Sequence, residues 1–160
     1  QWSSSAASDV YKRQLLYAAR RDHWLKVIQP QLEQGVWVIS DRFADSSIVY
    51  QGYAGDIEID TVLNIHSVVL GEVWPDLTIV LDLPPELGLE RSYKRDTANN
   101  SKDRRFEQRE LQFHNLLREG FQYLHSKSPD RVCIVDGTKT IKEVEVEVFS
   151  IIQKRFVEFM

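Results

Sequence analysis

Residues 77–83 read LTIVLDL, an apolar run that ends in an aspartate and a leucine and decides the fold. Two other runs have the same character, VWVIS at 36–40 and RVCIV at 131–135. None of them alternates apolar with polar residues, which is typical of parallel strands that helices cover on both faces. Helical patterns separate the runs. The sequence therefore predicts an α/β fold with three buried parallel strands and helices on both faces of the sheet.

The helical patterns end at residues that commonly stop or bend helices. Apolar spacing predicts helices over 15–34, 59–70, 85–95, 106–127 and 141–159. Gly35 and Gly71 can end the first two in the left-handed conformation, and Pro30 should kink the first. The small and polar residues 1–14 predict a disordered or foreign leader, followed by one partial domain over 15–160.

Composition excludes several classes of protein. The chain has 160 residues, 42% of them hydrophobic, which is enough for a packed core. A net charge of −4 argues against a nucleic-acid partner, and no apolar run is long enough for a membrane helix. The single cysteine, Cys133, excludes an intrachain disulfide and fits a reducing cytoplasm. The four histidines lack metal-ligand spacing, which disfavours a metal hydrolase.

Each predicted strand carries an aspartate at its carboxyl end, where ligands of open α/β sheets bind. These residues are Asp41, Asp82 and Asp136. Arg42 follows the first of them, and its planar guanidinium can hold a phosphate through two parallel hydrogen bonds. The neighbouring carboxylate can orient Mg²⁺ or its waters. The alternative is that Asp41 caps the next helix and Arg42 is a solvated surface residue.

Four segments together resemble the thymidylate kinases of bacterial type. They are LLYAAR at 15–20, DRFADSSIVYQG at 41–52, PDLTIVLDLPPELGLER at 75–91 and RFEQRELQFH at 105–114. The resemblance implies a P-loop kinase-like fold and transfer of the ATP γ-phosphate to dTMP with Mg²⁺, a step of dTTP biosynthesis. It also implies a cytoplasmic enzyme that is a homodimer when complete.

The resemblance gives roles to residues around Arg42. Arg42 would bind the dTMP phosphate, and Asp41 would help to position that phosphate and, indirectly, the Mg²⁺ ion. Arg20 would hydrogen-bond the thymine carbonyl O4. The resemblance also implies that Ser47 makes a polar contact to the base and that the Tyr50 ring packs against the deoxyribose. Gln51 would lie beside that ring.

The segment 91–109 has seven basic and three acidic residues, which predicts a mobile basic loop that closes over phosphates. In the family this region is the lid, here about 95–105, and Arg95 and Arg105 are the candidate arginine fingers, with Arg95 also contacting ATP. A solvated charged hairpin is the alternative. The resemblance also sets the DGTKT loop, beginning at Asp136 and Gly137, against the adenine of ATP, although a plain turn fits equally well.

The sequence contains no Gly-rich phosphate loop of the form G-x-x-x-x-G-K-[ST], because none of its seven glycines precedes a lysine. In the family this loop belongs to the first, central strand. We therefore expect an N-terminally truncated thymidylate kinase that lacks its first strands, has a gap between 36–40 and 77–83, and is inactive alone. Two alternatives remain: a fragment of a deoxynucleoside kinase and a non-catalytic nucleotide-binding remnant.

Overall fold

The computed structural model describes residues 15–95 and 104–157, so the predicted leader and most of the predicted lid lie outside the described residues. Helix α1 covers residues 15–33, with a π-helical stretch at Trp24–Ile28. The remaining elements, in chain order, are α2 (Ala44–Ser47, continued by a π-helical stretch at Ile48–Tyr53), α3 (Ile59–Leu70), β1 (Thr78–Asp82), α4 (Pro85–Arg95), α5 (Arg104–Lys127), β2 (Val132–Asp136) and α6 (Ile141–Arg155).

The sheet of the described chain has two parallel strands, β1 and β2. Their register runs from Thr78 opposite Val132 to Asp82 opposite Asp136. Two of the three aspartates predicted at the carboxyl edge are therefore neighbours across the ladder, and both strand predictions are confirmed.

The prediction of a strand at 36–40 is wrong, because this segment pairs with no described strand. A strand is stable only when its backbone N–H and C=O groups have ladder partners, whereas in this segment Val36 N donates to Gln31 O at the end of α1 instead. Its side chains are exposed accordingly, with Trp37 at 55% and Ile39 at 95%. Asp41 consequently lies in a bend and not at the end of a strand.

The predicted helix ends at glycine are confirmed. Gly35 and Gly71 adopt φ angles of 74° and 68°, a conformation that is open to glycine and costly for other residues. Pro30 lies in the first turn after the π-helical stretch, where the hydrogen-bond pattern of α1 changes. The last helix ends at Arg155, earlier than the predicted 159, because Phe156 leaves the helical conformation.

The core lies where α2, α3 and α5 pack against one face of the sheet. Its buried residues are Ile48, Val49, Val62, Leu117, Leu124 and Val132. Gly120 lets α5 approach α2 closely, since a Cβ there would lie 2.9 Å from Val49 Cγ1. Val135 is also fully buried, and strand alternation places it on the other face of β2 from Val132. Within 15–95 and 104–157, no helix combines the length and apolar character needed to span a membrane.

Candidate functional site

Arg42 has a φ of 66°, the left-handed region that disfavours every residue except glycine. The Ser40 hydroxyl donates a 3.2 Å hydrogen bond to the Arg42 carbonyl oxygen, which helps to hold this turn. The Arg42 guanidinium carbon lies 4.8 Å from the centroid of the Tyr50 ring. A backbone held in this way fixes the direction in which an exposed guanidinium leaves the chain.

Helix α2 begins directly after this turn, and its first residues test whether Asp41 caps the helix. The residue that caps α2 is Phe43, with no hydrogen bond from a capping side chain. The alternative in which Asp41 caps the helix is therefore wrong. Asp41 is exposed, and its carboxylate forms no ion pair with any described residue.

Arg20 lies between two aromatic rings that the sequence had not singled out. Its guanidinium carbon is 5.5 Å from the Tyr17 ring centroid and 5.7 Å from that of Phe43. The Tyr17 hydroxyl donates a 3.0 Å hydrogen bond to Gln51 Oε1, which joins α1 to α2. The structure thus brings the predicted Arg20 and Gln51 into one cluster. Tyr17 could have been identified from its i, i+3 spacing to Arg20 on the same helix.

The Arg20 guanidinium is partly withdrawn from solvent, and burial lowers the pKa of Arg20 below its ordinary value. Its Nη1 atom is buried and has no hydrogen-bond partner among the described residues. A buried donor without an acceptor is costly unless a ligand or water satisfies it. The arrangement suits a ligand that carries a carbonyl or another acceptor.

The other predicted substrate residues lie on α2. Ser47 is buried, three residues before Tyr50 and four before Gln51. The Tyr50 ring packs edge-on against Phe113 of α5, with centroids 6.0 Å apart. Phe113 was not singled out from the sequence, because its contact with Tyr50 depends on how α5 packs against α2.

A second polar cluster lies at the carboxyl edge of the sheet. Asp82 accepts two hydrogen bonds from Arg118, Nε to Oδ1 at 2.7 Å and Nη2 to Oδ2 at 2.8 Å. Gly137 N donates to Asp82 O at 2.7 Å, and Arg91 Nη1 donates to Gly137 O at 3.0 Å. The loop that follows β2 is therefore held against both β1 and α4.

Asp136 shapes the same loop from within. Its Oδ1 accepts hydrogen bonds from the Thr138 hydroxyl at 2.6 Å and from Thr138 N at 2.9 Å. These bonds favour the ionised carboxylate, so they lower the pKa of Asp136 below its ordinary value. The exposed loop consequently presents backbone groups in a fixed turn next to Gly137.

The predicted lid connects α4 and α5. Arg95 ends α4 and Arg105 lies in the first turn of α5, but their side chains are outside the described part of the molecule. The Tyr93 hydroxyl donates a 2.8 Å hydrogen bond to Glu110 Oε2 and so ties the two helices together beside the lid.

Two parallel strands connected by helices, with arginines and aromatic rings gathered around α1 and α2, define an α/β protein. The family model described as thymidylate kinase matches residues 3–148. The chain therefore belongs to the thymidylate kinase family.

Curated relatives and a solved structure agree with this assignment. The chain is 40% identical to a thymidylate kinase of Rhodopseudomonas palustris, over 88% of this chain and 60% of the relative. It is 42% identical to that of Nitratidesulfovibrio vulgaris, over 81% of this chain and 61% of the relative. The crystal structure of thymidylate kinase from Ehrlichia chaffeensis has a TM-score of 0.65 at 27% identity and covers 96% of this chain and 67% of that one. The chain thus spans about 60% of the length of these curated relatives.

Proposed function

We propose that the complete protein transfers the γ-phosphate of ATP to dTMP, giving dTDP, and that α1 and α2 of this chain form the dTMP-binding side. Membership of the thymidylate kinase family supports the reaction. The observation that carries the binding role is Arg42, whose exposed guanidinium is directed by a strained backbone and forms no ion pair with a described carboxylate. A phosphate is the natural partner for such a group.

The remaining dTMP contacts follow from the neighbouring side chains. In this proposal the Arg20 guanidinium donates to thymine O4, and Tyr17 and Phe43 keep it in place. Tyr50 packs against the deoxyribose and is supported from behind by Phe113. Gln51, held by the Tyr17 hydroxyl, completes this wall, and Ser47 contacts the base.

The proposed magnesium and ATP contacts come from separate segments of the chain. Mg²⁺ is usually bound through one or two carboxylates together with waters and phosphate oxygens, so the exposed carboxylate of Asp41 fits an indirect role. When bound, the ion neutralises charge that develops on the phosphate oxygens. Asp136 and Gly137 would meet the adenine through their fixed turn. Arg95 and Arg105 would supply lid charges to the transferring phosphate, with Arg95 also contacting ATP.

Two wider features are proposed with the reaction. The complete enzyme acts in dTTP biosynthesis in a reducing cytoplasm, which the single Cys133 supports. It is a homodimer, which light scattering of the complete protein would test, since a monomer at micromolar concentration would contradict it.

The first test is the affinity of the complete protein for dTMP and for ATP, measured by calorimetry. Arg42→Ala should weaken dTMP binding about tenfold or more, because a charge-assisted hydrogen bond contributes about 1.5–3 kcal/mol, and should change ATP binding far less. Arg42→Lys should recover only part of the loss, since lysine lacks the planar fork. Arg155→Ala, an exposed arginine at the end of α6, is the control with the same charge change.

Equal losses for dTMP and ATP in Arg42→Ala would contradict the binding role. Thymidine bound as tightly as dTMP would favour a deoxynucleoside kinase instead. The 160 residues contain no Gly-rich phosphate loop, so we also expect no formation of dTDP by this chain with ATP and Mg²⁺. Turnover above background would refute that expectation.

A further inference from the structure

His66 of α3 is a buried polar residue with one satisfied and one unsatisfied nitrogen. Its side chain is 4% exposed, and its ring lies against Trp74 with centroids 4.1 Å apart. Nε2 is 2.8 Å from the carbonyl oxygen of Val73. Because a carbonyl only accepts, Nε2 carries a proton, and in the neutral imidazole Nδ1 is then a lone pair. Nδ1 is buried and has no hydrogen-bond partner among the described residues.

Arg20 of α1 also has a buried nitrogen, Nη1, without a hydrogen-bond partner in the described part of the chain, and α1 contacts α3. The two helices are joined beside it, because Arg21 Nη1 donates to the carbonyl oxygen of Val69. Arg21 adjoins Arg20 in sequence, and Val69 lies about one helical turn after His66. One helix thus carries a buried donor, Arg20 Nη1, and the other a buried nitrogen, His66 Nδ1, each without a partner among the residues that the structure describes. The charge of Arg20 acts on His66 and lowers its pKa, which agrees with the two residues being neighbours.

We infer that His66 is a positioning residue for Arg20, and that a water molecule accepts a hydrogen bond from Arg20 Nη1 and donates one to His66 Nδ1. Buried polar groups are nearly always satisfied, and buried waters commonly make two to four such bonds. The bridge would hold the guanidinium in one orientation and so reduce the ordering cost of binding a base. This inference rests on the proposed role of Arg20 in recognising thymine.

The surroundings keep His66 in the form that this role requires. Burial lowers the pKa of His66 most strongly, the Val73 hydrogen bond opposes this shift, and the charge of Arg20 lowers the pKa further. The carboxylates of Asp45 and Glu72 act in the raising direction. Arg131 lies 5.3 Å from the centroid of the Trp74 ring, which itself packs on His66. The net effect is a neutral imidazole with its lone pair at Nδ1 near neutral pH.

Two substitutions of His66 test the hydrogen bonds of its two ring nitrogens separately. In His66→Gln the amide nitrogen can still donate to Val73, whereas the acceptor at the Nδ1 position is lost. In His66→Asn the side-chain oxygen can take the place of Nδ1, whereas the bond to Val73 is lost. Binding of each variant is measured with dTMP and with 2-deoxyribose 5-phosphate, which has the sugar and phosphate but no base.

The expected result is a dTMP affinity about three- to tenfold weaker in His66→Gln and within about twofold of the original in His66→Asn. Affinity for 2-deoxyribose 5-phosphate should be unchanged in both. Unchanged dTMP affinity in His66→Gln overturns the inference, as does an equal loss for both ligands, which would indicate general structural damage. If the unmodified chain binds dTMP no more tightly than 2-deoxyribose 5-phosphate, the proposed recognition of thymine is wrong. The inference about His66 is then wrong as well.

Discussion

The left-handed backbone at Arg42 costs about 1–3 kcal/mol, and no described side chain makes an ion pair there in return. Such strain persists only where the surrounding structure imposes it, here through the Ser40 hydrogen bond and the start of α2. If Arg42 binds the dTMP phosphate as proposed, this fixed backbone reduces the reorganisation that binding requires and so lowers its entropic cost.

The lowered pKa of His66 predicts how the free energy of unfolding depends on pH. Its pKa in the folded chain lies below the ordinary 6.5, so below about pH 6.5 the unfolded chain binds the proton first. Its contribution to the free energy of unfolding is therefore complete above about pH 6.5 and is lost as the pH falls toward the folded pKa. Urea unfolding at about pH 7.5 and about pH 5.5 measures this loss.

His66→Gln removes the titrating group. It should therefore reduce the difference in unfolding free energy between about pH 7.5 and about pH 5.5. His23→Gln, which changes an exposed histidine on α1, should leave that difference as it is in the original chain. The same pH dependence in both variants would show that His66 is not responsible.

The candidate site was predictable from sequence where motifs were local. Arg20, Arg42, Tyr50 and Gln51 come from short segments, and the structure links Arg20 to Gln51 through Tyr17, and Arg42 to Tyr50 directly. The sequence gives no sign of the proposed role of His66, which lies in the helical pattern of α3. Its unpaired nitrogen depends on the packing of α1, which spacing along α3 does not report.

At the level of elements, helices were predicted better than strands. Gly35, Gly71 and the start at Pro85 mark helix ends through local backbone chemistry, and the structure agrees with each of them. A strand depends on a partner elsewhere in the chain. Residues 36–40 have the composition of a strand, but no described strand lies beside them.

The first turn of helix α6 allows a test of how much a local capping motif contributes to stability. Thr140 Oγ1 accepts from Glu143 N at 3.3 Å, and Glu143 Oε2 accepts from Thr140 N at 2.9 Å, which completes a capping box. Thr140→Ala should lower the free energy of unfolding by about 1 kcal/mol, measured in urea. Lys142→Ala, in the same exposed turn, should have little effect. A smaller loss for Thr140→Ala than for Lys142→Ala would contradict the role of the cap.

At the level of the whole molecule, one buried ion pair connects distant parts of the chain. Arg131 contacts Asp45 through two hydrogen bonds of 2.7 Å, and Thr78 donates to the same carboxylate at 2.6 Å. The cluster fixes α2, which carries the predicted dTMP residues, to the amino ends of both strands. Spacing along the sequence gives no sign of a pair that lies 86 residues apart.

Breaking this pair should destabilise the molecule. Asp45→Asn leaves the charge of Arg131 without its counterion and should cost about 2–4 kcal/mol of unfolding free energy, less than a fully buried pair because Arg131 is 22% exposed. Glu90→Gln, at the exposed pair with Lys94, is the matched control and should leave stability unchanged. Equal melting temperatures for Asp45→Asn and Glu90→Gln would show that the buried pair does not hold α2.

The same ion pair has a consequence for protein synthesis. Asp45 leaves the ribosome 86 residues before Arg131, which at about 5–20 residues per second is a delay of roughly 4–17 seconds. Throughout that interval the carboxylate lacks Arg131 as its counterion, so its burial is opposed by the cost of desolvation. We therefore expect α2 to pack against the strands only after translation has passed the start of β2.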